Sequence, residues 1–149
     1  MTELTATAAT RRAHADRIRL IRNACRGTFS HYNDELTWWA QQQWWTRTEG
    51  KRLAWLYSDE TGIIGFGVLL LRDDGYWTTT VAVLPDAAGR NYGKAIIHDL
   101  VMNAPGPCTG MALKTNPAGV KVYVPDDWDM VDGPDERYVY FKTKVGVPA

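Results

Sequence analysis

A turn with two glycines joins an apolar segment to a helical one in the stretch VLPDAAGRNYGKAIIHDLV, residues 83–101. Gly89 and Gly93 lack a side chain that would block a ligand or a backbone with positive φ. Asn91 between them tolerates the left-handed region better than most residues. Such a turn can present successive N–H groups to a pyrophosphate, and a helix N-terminus adds about half a positive charge. The alternative is a turn that only reverses the chain.

The whole segment resembles the acyl-coenzyme A motif of the GNAT superfamily of N-acetyltransferases. In that family a strand ending V-x-P is followed by [QR]-x-x-G-x-[GA] and a helix. Ala88 stands where the family usually has Arg or Gln, and Asn91 where it usually has Gly, so we expect Arg90 to supply the missing positive charge. The matching residues are Val83, Pro85, Gly89, Tyr92, Gly93, Lys94 and Ala95.

A second match lies downstream, where family members often read N-x-x-A-x-x-x-Y-x-x-x-G-F before a closing hairpin. Asn116 and Tyr123 fall at the asparagine and the tyrosine, and Trp128 at the phenylalanine. Both motifs occur in the family's order and at its separation. The resemblance implies a GNAT-like fold over residues 1–149 as a single domain, and an N-acetyltransferase that uses acetyl-CoA as co-substrate and no metal.

The resemblance also implies roles for single residues, because in this family the amine attacks the thioester directly in a ternary complex. The backbone near Val81 and Val83 is expected to pair with the pantetheine arm and to polarise the thioester carbonyl. Tyr123 is the expected general acid, since a phenol with a pKa near ~10 can protonate a thiolate of similar basicity. A core tyrosine on an amphipathic helix is the alternative. The predicted coenzyme-binding residues are Val81, Val83, Gly89, Arg90, Asn91, Tyr92, Gly93, Lys94, Ala95 and Asn116.

The general base is not evident from the sequence. Many relatives carry a glutamate on the strand before the turn, but the corresponding stretch here, YWTTTVAV, has no carboxylate. Proton removal is then expected through ordered water, through the threonines around Thr79, or through an acid elsewhere. His31 is the titrating group expected on the acceptor side, with a packed or solvated histidine as the alternative. His14 and His98 are interpreted as solvated.

The segment RNACRGTFSHYNDELTWWAQQQWW, residues 22–45, is similar in layout to family members that acetylate amino sugars. The predicted acceptor is therefore a primary amine of a small molecule, with amino sugars as one class. Phe29, His31, Trp38 and Thr79 are the predicted substrate-binding residues. The alternatives are a transferase that modifies a protein amine or a nucleic-acid base, and a non-catalytic module for coenzyme binding or assembly.

Four tryptophans lie in the predicted second helix. At about 100° per residue, Trp38 and Trp45 point one way while Trp39 and Trp44 flank the other. We therefore expect at least one pair to face something besides the core. An acceptor pocket and a homodimer contact are the two alternatives.

Composition narrows the class of protein. The chain has 149 residues, of which 23% are charged, and a formal net charge of +0. These values predict one core and argue against a disordered chain or a general binder of nucleic acid, although the arginines of the first helix leave local phosphate contact open. Cys25 and Cys108 lack metal-site spacing and are predicted to be buried thiols. We find no signal sequence and no apolar run near the ~20 residues of a membrane helix, and expect a soluble, cytoplasmic protein.

The elements that must position these residues follow from the sequence period. A first strand is predicted within residues 2–10. Helices are predicted over residues 11–26, 38–47, 94–102 and 116–123, with Thr10 and Thr37 capping the first two. Ala95, Ile96, Leu100 and Val101 form the apolar side of the third helix. Further strands are predicted over residues 52–58, 62–72, 76–84, 111–115, 128–131 and 137–144.

Residues 52–84 are predicted to form an antiparallel meander, and residues 128–144 are predicted to form a closing hairpin. The GPCTG stretch at 106–110 is predicted to break the chain before the strand at 111–115. The expected fold class is α/β (α+β), with a mixed, mostly antiparallel twisted sheet of about six or seven strands flanked by about four helices.

Overall fold

The computed structural model describes residues 3–25, 35–125 and 127–144. None of the helices in these ranges is long and apolar enough to cross a membrane. The predicted order of helices and strands is confirmed. The elements are β1 (Thr5–Ala8), α1 (Arg12–Ala24), α2 (Trp38–Arg47), β2 (Arg52–Asp59), β3 (Gly62–Leu71), β4 (Trp77–Val83), a 3₁₀ turn (Pro85–Ala87), α3 (Tyr92–Asn103), β5 (Cys108–Leu113), α4 (Pro117–Lys121), β6 (Trp128–Val131) and β7 (Tyr138–Thr143).

The strands form one sheet in the order β1-β2-β3-β4-β5-β7-β6. Neighbouring strands are antiparallel except for β4 and β5, which run parallel. Helix α3 makes the connection between these two, since parallel strands need a long crossover. The predicted meander and closing hairpin are both confirmed, and the sheet is mixed and mostly antiparallel as expected.

Helices cover both faces of the sheet, as the alternation along β3 shows. Phe66 and Val68 pack in one cluster with residues of α1 and α2, whereas Leu69 belongs to the cluster that contains the buried side chains of α3. Gly67 lies on the α3 face, where a Cβ atom would approach Ile96 Cγ2 to 2.9 Å. The third helix therefore packs directly on the sheet beside β4, and its first residue lies close to the end of that strand.

The first two helices begin in different ways. Thr37 caps α2 as predicted, because its Oγ1 accepts a hydrogen bond from the Ala40 N–H at 3.1 Å. The predicted Thr10 cap is wrong, since Arg11 is the N-cap residue of α1. The ring nitrogen Nδ1 of His14 accepts the N–H groups of Thr10 and Arg11 at 3.0 and 3.1 Å. His14 is thus a capping residue and not simply solvated.

An apolar stripe runs along α1 to its C-cap. Ile18, Ile21 and Cys25 fall at helical spacing i, i+3 and i+7, and all three are buried. Cys108 is buried as well, on the other face of the sheet. The prediction of two buried thiols is therefore confirmed.

The predicted break at 106–110 is wrong in its second half, because Cys108, Thr109 and Gly110 belong to β5. Thr109 pairs with both β4 and β7. A long-range contact requires glycine at position 110, since a Cβ atom on Gly110 would lie 2.3 Å from Cε1 of Tyr123. The predicted fourth helix is also too long, because α4 ends at Lys121 and Tyr123 follows it.

Candidate active site

Strands β4 and β5 separate after two residue pairs. The pairs Trp77–Cys108 and Thr78–Thr109 join them, whereas β4 pairs with β3 along its full length from Trp77 to Val83. Because the strands diverge beyond these pairs, a wedge opens between residues 79–83 of β4 and the rest of β5. A cavity of about 570 Å³ occupies this wedge.

The open edge of β4 presents the backbone groups of alternate residues. The Trp77 N–H donates toward β5 at 2.9 Å, and the Leu84 N–H donates toward β3 at 2.7 Å. Backbone groups alternate between the two edges of a strand, and the register of β4 with β3 has no shift between these positions. The N–H groups of Val81 and Val83 therefore face the wedge. The Val83 carbonyl on the same edge accepts a hydrogen bond from Cys25 Sγ at 3.2 Å.

The glycine-containing turn lies at the open end of the wedge. Gly89 has φ +83° and Asn91 has φ 60°, so the left-handed conformation anticipated for Asn91 is present. Helix α3 starts at Tyr92, and the Asn91 side chain makes no capping hydrogen bond to it. The first N–H groups of an α-helix have no intrahelical acceptor. The turn and the start of α3 thus direct unpaired amides and the positive end of a helix dipole toward the cavity they line.

Gly93 does not have the positive φ that was one of the two reasons expected for a glycine there, because the residue lies in the first turn of α3 with helical geometry. The other reason, close approach of a ligand, stays a prediction. A Cβ atom there would lie 3.0 Å from Cγ1 of Val122. The missing side chain lets the segment after α4 pack against the start of α3, which narrows the cavity at this end.

Tyr123 lies at the closed end of the wedge. Its hydroxyl is 3.5 Å from Thr79 Oγ1 and accepts a hydrogen bond from the backbone N–H of Met111. Thr79 Oγ1 in turn donates to the Thr109 carbonyl at 3.0 Å. The ring of Tyr123 stacks on Phe141 with ring centroids 4.4 Å apart. These contacts fix the phenol beside the last pair that joins β4 and β5.

Tyr123 is buried, with only 7% of the residue exposed, and this burial determines the protonation state of its hydroxyl. Burial raises the pKa of Tyr123, and its hydrogen-bonding contacts with Thr79 and the Met111 backbone oppose this only in part. A tyrosine has an ordinary pKa of about 10, so the hydroxyl carries its proton at neutral pH. It can therefore donate that proton to a basic atom inside the wedge.

The charges around the cavity are of one sign. Arg22, Lys94 and Lys121 line it, and no Asp or Glu does so among the described residues. Asn116 lines it too, and its Oδ1 caps α4 by accepting the Gly119 N–H at 3.3 Å. The cavity therefore suits an anionic ligand with several phosphates. In the ranges that the structure covers, no three His, Cys, Asp or Glu side chains come together to hold a metal ion.

The cavity brings most of the predicted site residues together, and a few lie elsewhere. Arg90 and Ala95 line only a neighbouring cavity of about 750 Å³, which shares Asn91, Tyr92 and Lys94 with the first. Arg90 Nη1 lies 3.4 Å from Asp59 Oδ2. Ala95 is exposed and does not belong to the apolar side of α3, where Ile97 is buried instead. The residues gathered in the 570 Å³ cavity are Thr79, Val81, Val83, Gly89, Asn91, Tyr92, Gly93, Lys94, Asn116 and Tyr123.

The predicted acceptor residues are only partly defined. Phe29 and His31 lie outside the described residues. Trp38 is described, is 51% exposed and lines neither cavity; its ring centroid lies 6.2 Å from that of Trp39, which is 64% exposed. Trp45, by contrast, is buried beneath the guanidinium of Arg52. The two tryptophans at the start of α2 are therefore exposed, whereas Trp45 near its end is buried.

Several cavity residues were missed by sequence reasoning. Arg22 is four residues after Ile18 and three before Cys25, so helical spacing alone placed it beside the buried stripe of α1. Lys121 had no comparable signal, since it is the last residue of the short helix α4 and reaches the cavity only through the packing of that helix. Met111 and Gly110 were assigned to a strand and a break, but their position beneath Tyr123 depends on a contact between distant segments.

Comparison with known proteins identifies the class to which this fold and cavity belong. Residues 16–124 match the model of the Acetyltransferase (GNAT) family. This match covers more than half of the chain, and the chain belongs to that family of acetyltransferases, as the sequence predicted. No curated protein sequence matches the chain significantly.

Solved structures of low sequence identity share the fold. A phosphinothricin acetyltransferase (Pat) from Sinorhizobium meliloti in complex with AcCoA superposes with a TM-score of 0.75 at 15% identity, over 98% of this chain and 95% of that one. The yncA protein of Salmonella typhimurium, solved with its cofactor acetyl-CoA, gives 0.76 at 13% identity, over 99% and 96%. A spermidine N-acetyltransferase SpeG chimera from Vibrio cholerae and hSSAT gives 0.70 at 11% identity, over 94% of both chains.

Proposed function

We propose that this protein is an acetyl-CoA-dependent N-acetyltransferase that acetylates a primary amine of a small molecule. The observation that carries the proposal is the single cavity between β4 and β5. It combines an open strand edge at Val81 and Val83, the N-terminus of α3, and a protonated phenol at Tyr123. These are the groups that binding a phosphorylated thioester and transferring its acyl group require.

The cavity would bind the donor through backbone N–H groups and through positively charged side chains. The turn and first helical residues from Gly89 to Lys94 would hold the pyrophosphate with N–H groups, assisted by Lys94 and Lys121. The N–H groups of Val81 and Val83 would pair with the amide groups of the pantetheine arm. A backbone N–H on the same edge would polarise the thioester carbonyl. Bound acetyl-CoA supplies the acetyl group as a thioester.

Transfer requires three proton movements. The neutral amine nitrogen forms a bond to the acetyl carbon, the bond from that carbon to sulfur breaks, and the thiolate takes a proton from Tyr123. The nitrogen then loses its second proton, which returns through water to the Tyr123 phenolate. The ammonium must first lose a proton, and no carboxylate among the described residues lines the cavity to accept it. Thr79 Oγ1 already donates to the Thr109 carbonyl. We therefore assign proton removal to water held near the threonine hydroxyls of β4.

We propose that the acceptor enters beside α1, whose Arg22 lines the cavity, and that the neighbouring start of α2 contributes to its binding. Thr79 and Trp38, with Phe29 and His31 of the connecting segment, are the proposed acceptor-binding residues. Two structures with this fold carry names that refer to small amines, phosphinothricin and spermidine. They support a small-molecule amine as the acceptor class, with an amino sugar as one candidate within it.

The proposal is tested by thermal unfolding with acetyl-CoA, followed by a free-thiol release assay with a panel of amines. A ligand at ~100 times its dissociation constant stabilises a protein by about 2.7 kcal/mol, and we expect a shift of that order at millimolar acetyl-CoA. Absence of any shift would contradict the enzyme assignment. A shift without thiol release for any small amine would favour a coenzyme-binding module or a macromolecular acceptor.

A further inference from the structure

One buried carboxylate outside the cavity ties the glycine-containing turn to the neighbouring hairpin. Asp59 is the last residue of β2, and its side chain is 0% exposed. Its carboxylate accepts hydrogen bonds from the N–H and hydroxyl of Thr61, from the hydroxyl of Tyr92 at 2.9 Å, and from Arg90 Nη1 at 3.4 Å. Four donors from two segments thus converge on one side chain.

Two of these donors bracket the left-handed residue of the turn. Arg90 precedes Asn91 and Tyr92 follows it as the first residue of α3. Asn91 has φ 60°, a conformation that costs Asn less than most residues with a side chain, and contacts on either side help to keep the turn in it. The Asp59 carboxylate supplies that restraint on both sides. It also keeps the Arg90 guanidinium away from the 570 Å³ cavity.

We propose that Asp59 is a positioning residue for the acyl donor, which fixes the amides of residues 89–94 in the arrangement that binds the pyrophosphate without touching the donor itself. This inference rests on the proposed function. The carboxylate is well suited to the task, because the hydrogen bonds from Thr61 and Tyr92 and the charge of Arg90 hold the pKa of Asp59 below its ordinary value. Hydrogen bonds to an ionised carboxylate are stronger than those between neutral groups.

The chain contains a matched control for this contact. The hydroxyl of Tyr57 donates to Asp99 Oδ2 at 2.6 Å and so makes a second carboxylate–tyrosine bond between β2 and α3. Its polarity is reversed, with the tyrosine on the strand and the carboxylate on the helix. Asp99 lies seven residues after Tyr92, away from the turn. Breaking this bond removes a similar tie between the same two elements but leaves the restraint on Asn91 in place.

The test compares Asp59→Asn and Tyr92→Phe with Asp99→Asn and Tyr57→Phe in the full chain. Titration calorimetry gives the dissociation constant for acetyl-CoA, steady-state kinetics gives both KM values and kcat, and thermal melts give stability. We expect Asp59→Asn and Tyr92→Phe to raise the dissociation constant and the KM for acetyl-CoA about tenfold. The acceptor KM and kcat at saturating donor should not change. The double variant should bind as weakly as Asp59→Asn alone, because the bond that Tyr92→Phe removes is one of those that Asp59→Asn already weakens.

The control pair should lower the melting temperature and leave acetyl-CoA binding unchanged. Equal weakening of acetyl-CoA binding by the control pair would overturn the inference, since the effect would then be general loosening of α3. Wild-type binding by Asp59→Asn would overturn it as well, while the proposed function would stand. Absence of acetyl-CoA binding by the wild-type protein would refute the proposed function, and the inference with it. Tyr92→Phe keeps the buried ring and covers the case in which Asp59→Asn does not fold.

Discussion

The proposed donor site consists mainly of backbone groups, whereas the proposed acceptor site relies on side chains. For the donor, the open edge of β4 and the turn before α3 line one cavity, and small residues leave room for close approach. Among the proposed acceptor residues, Trp38 stands exposed at the start of α2. The connecting segment that carries Phe29 and His31 lies outside the described residues.

This difference predicts how substitutions in the protein should change the kinetics of each substrate. A backbone site depends on the path of the chain, so it is damaged by added volume or by loss of the residues that hold that path. A side-chain site changes with each residue that lines it and tolerates substitution elsewhere. Substitutions on the two sides should therefore affect donor and acceptor kinetics separately.

The largest effect is expected from Gly110→Ala. A Cβ atom at this position would lie 2.3 to 2.5 Å from the ring and hydroxyl of Tyr123, so the phenol must move out of the wedge. We expect kcat to fall by more than ~100-fold and the free energy of unfolding to fall by about 1–3 kcal/mol. Gly106→Ala is the control, because a Cβ atom there has ordinary contacts of 3.7 Å or more. Wild-type turnover in Gly110→Ala would show that the position of Tyr123 is immaterial.

Tyr123→Phe removes the proposed acid and keeps the ring that stacks on Phe141. Loss of a general acid lowers turnover by ~100-fold or more, and we expect a fall in kcat of that order with an unchanged dissociation constant for acetyl-CoA. Tyr140→Phe serves as the control, since the Tyr140 hydroxyl accepts the Asp135 N–H outside the cavity. Unchanged turnover in Tyr123→Phe would remove the acid assignment. Steady-state kinetics and calorimetry provide the two measurements.

A smaller effect separates the two cations near the turn. Lys94 lines the donor cavity, whereas the Arg90 guanidinium is held against Asp59. We expect Lys94→Ala to raise the KM for acetyl-CoA about fivefold, with an effect that diminishes at high salt. Arg90→Ala should change it less than about twofold, in the range of an exposed charge. The reverse order would show that Arg90 contacts the phosphates, as the sequence alone suggested.

The smallest effect is expected at the exposed tryptophans. Trp38→Ala should raise the acceptor KM about threefold through loss of one aromatic contact. The dissociation constant for acetyl-CoA and the melting temperature should stay the same. Trp39→Ala, at the more exposed neighbour, is the matched control. A change in acetyl-CoA binding with Trp38→Ala would contradict the separation of the two sides.

Most of the fold was predictable because its elements are specified by local patterns. The segments of β2 to β4, rich in β-branched and aromatic residues and separated by short turns, and the Thr37 cap of α2 depend on residues close together in sequence. The errors occur where distant residues decide. Gly110 was assigned to a break because the ring that requires a glycine there belongs to Tyr123, which is distant in sequence. The orientation of the Arg90 side chain depends on Asp59, 31 residues earlier. The same limit applies to the proposed acceptor residues, some of which are far apart in sequence.

The central claim is that the donor binds along the open edge of β4. Amide hydrogen exchange, followed by NMR with and without saturating acetyl-CoA, tests it residue by residue. We predict new protection at Val81 and Val83, whose N–H groups face the wedge, and no change at Thr80 and Ala82, whose N–H groups face β3. Unchanged exchange at Val81 and Val83 in the presence of bound acetyl-CoA would contradict this account.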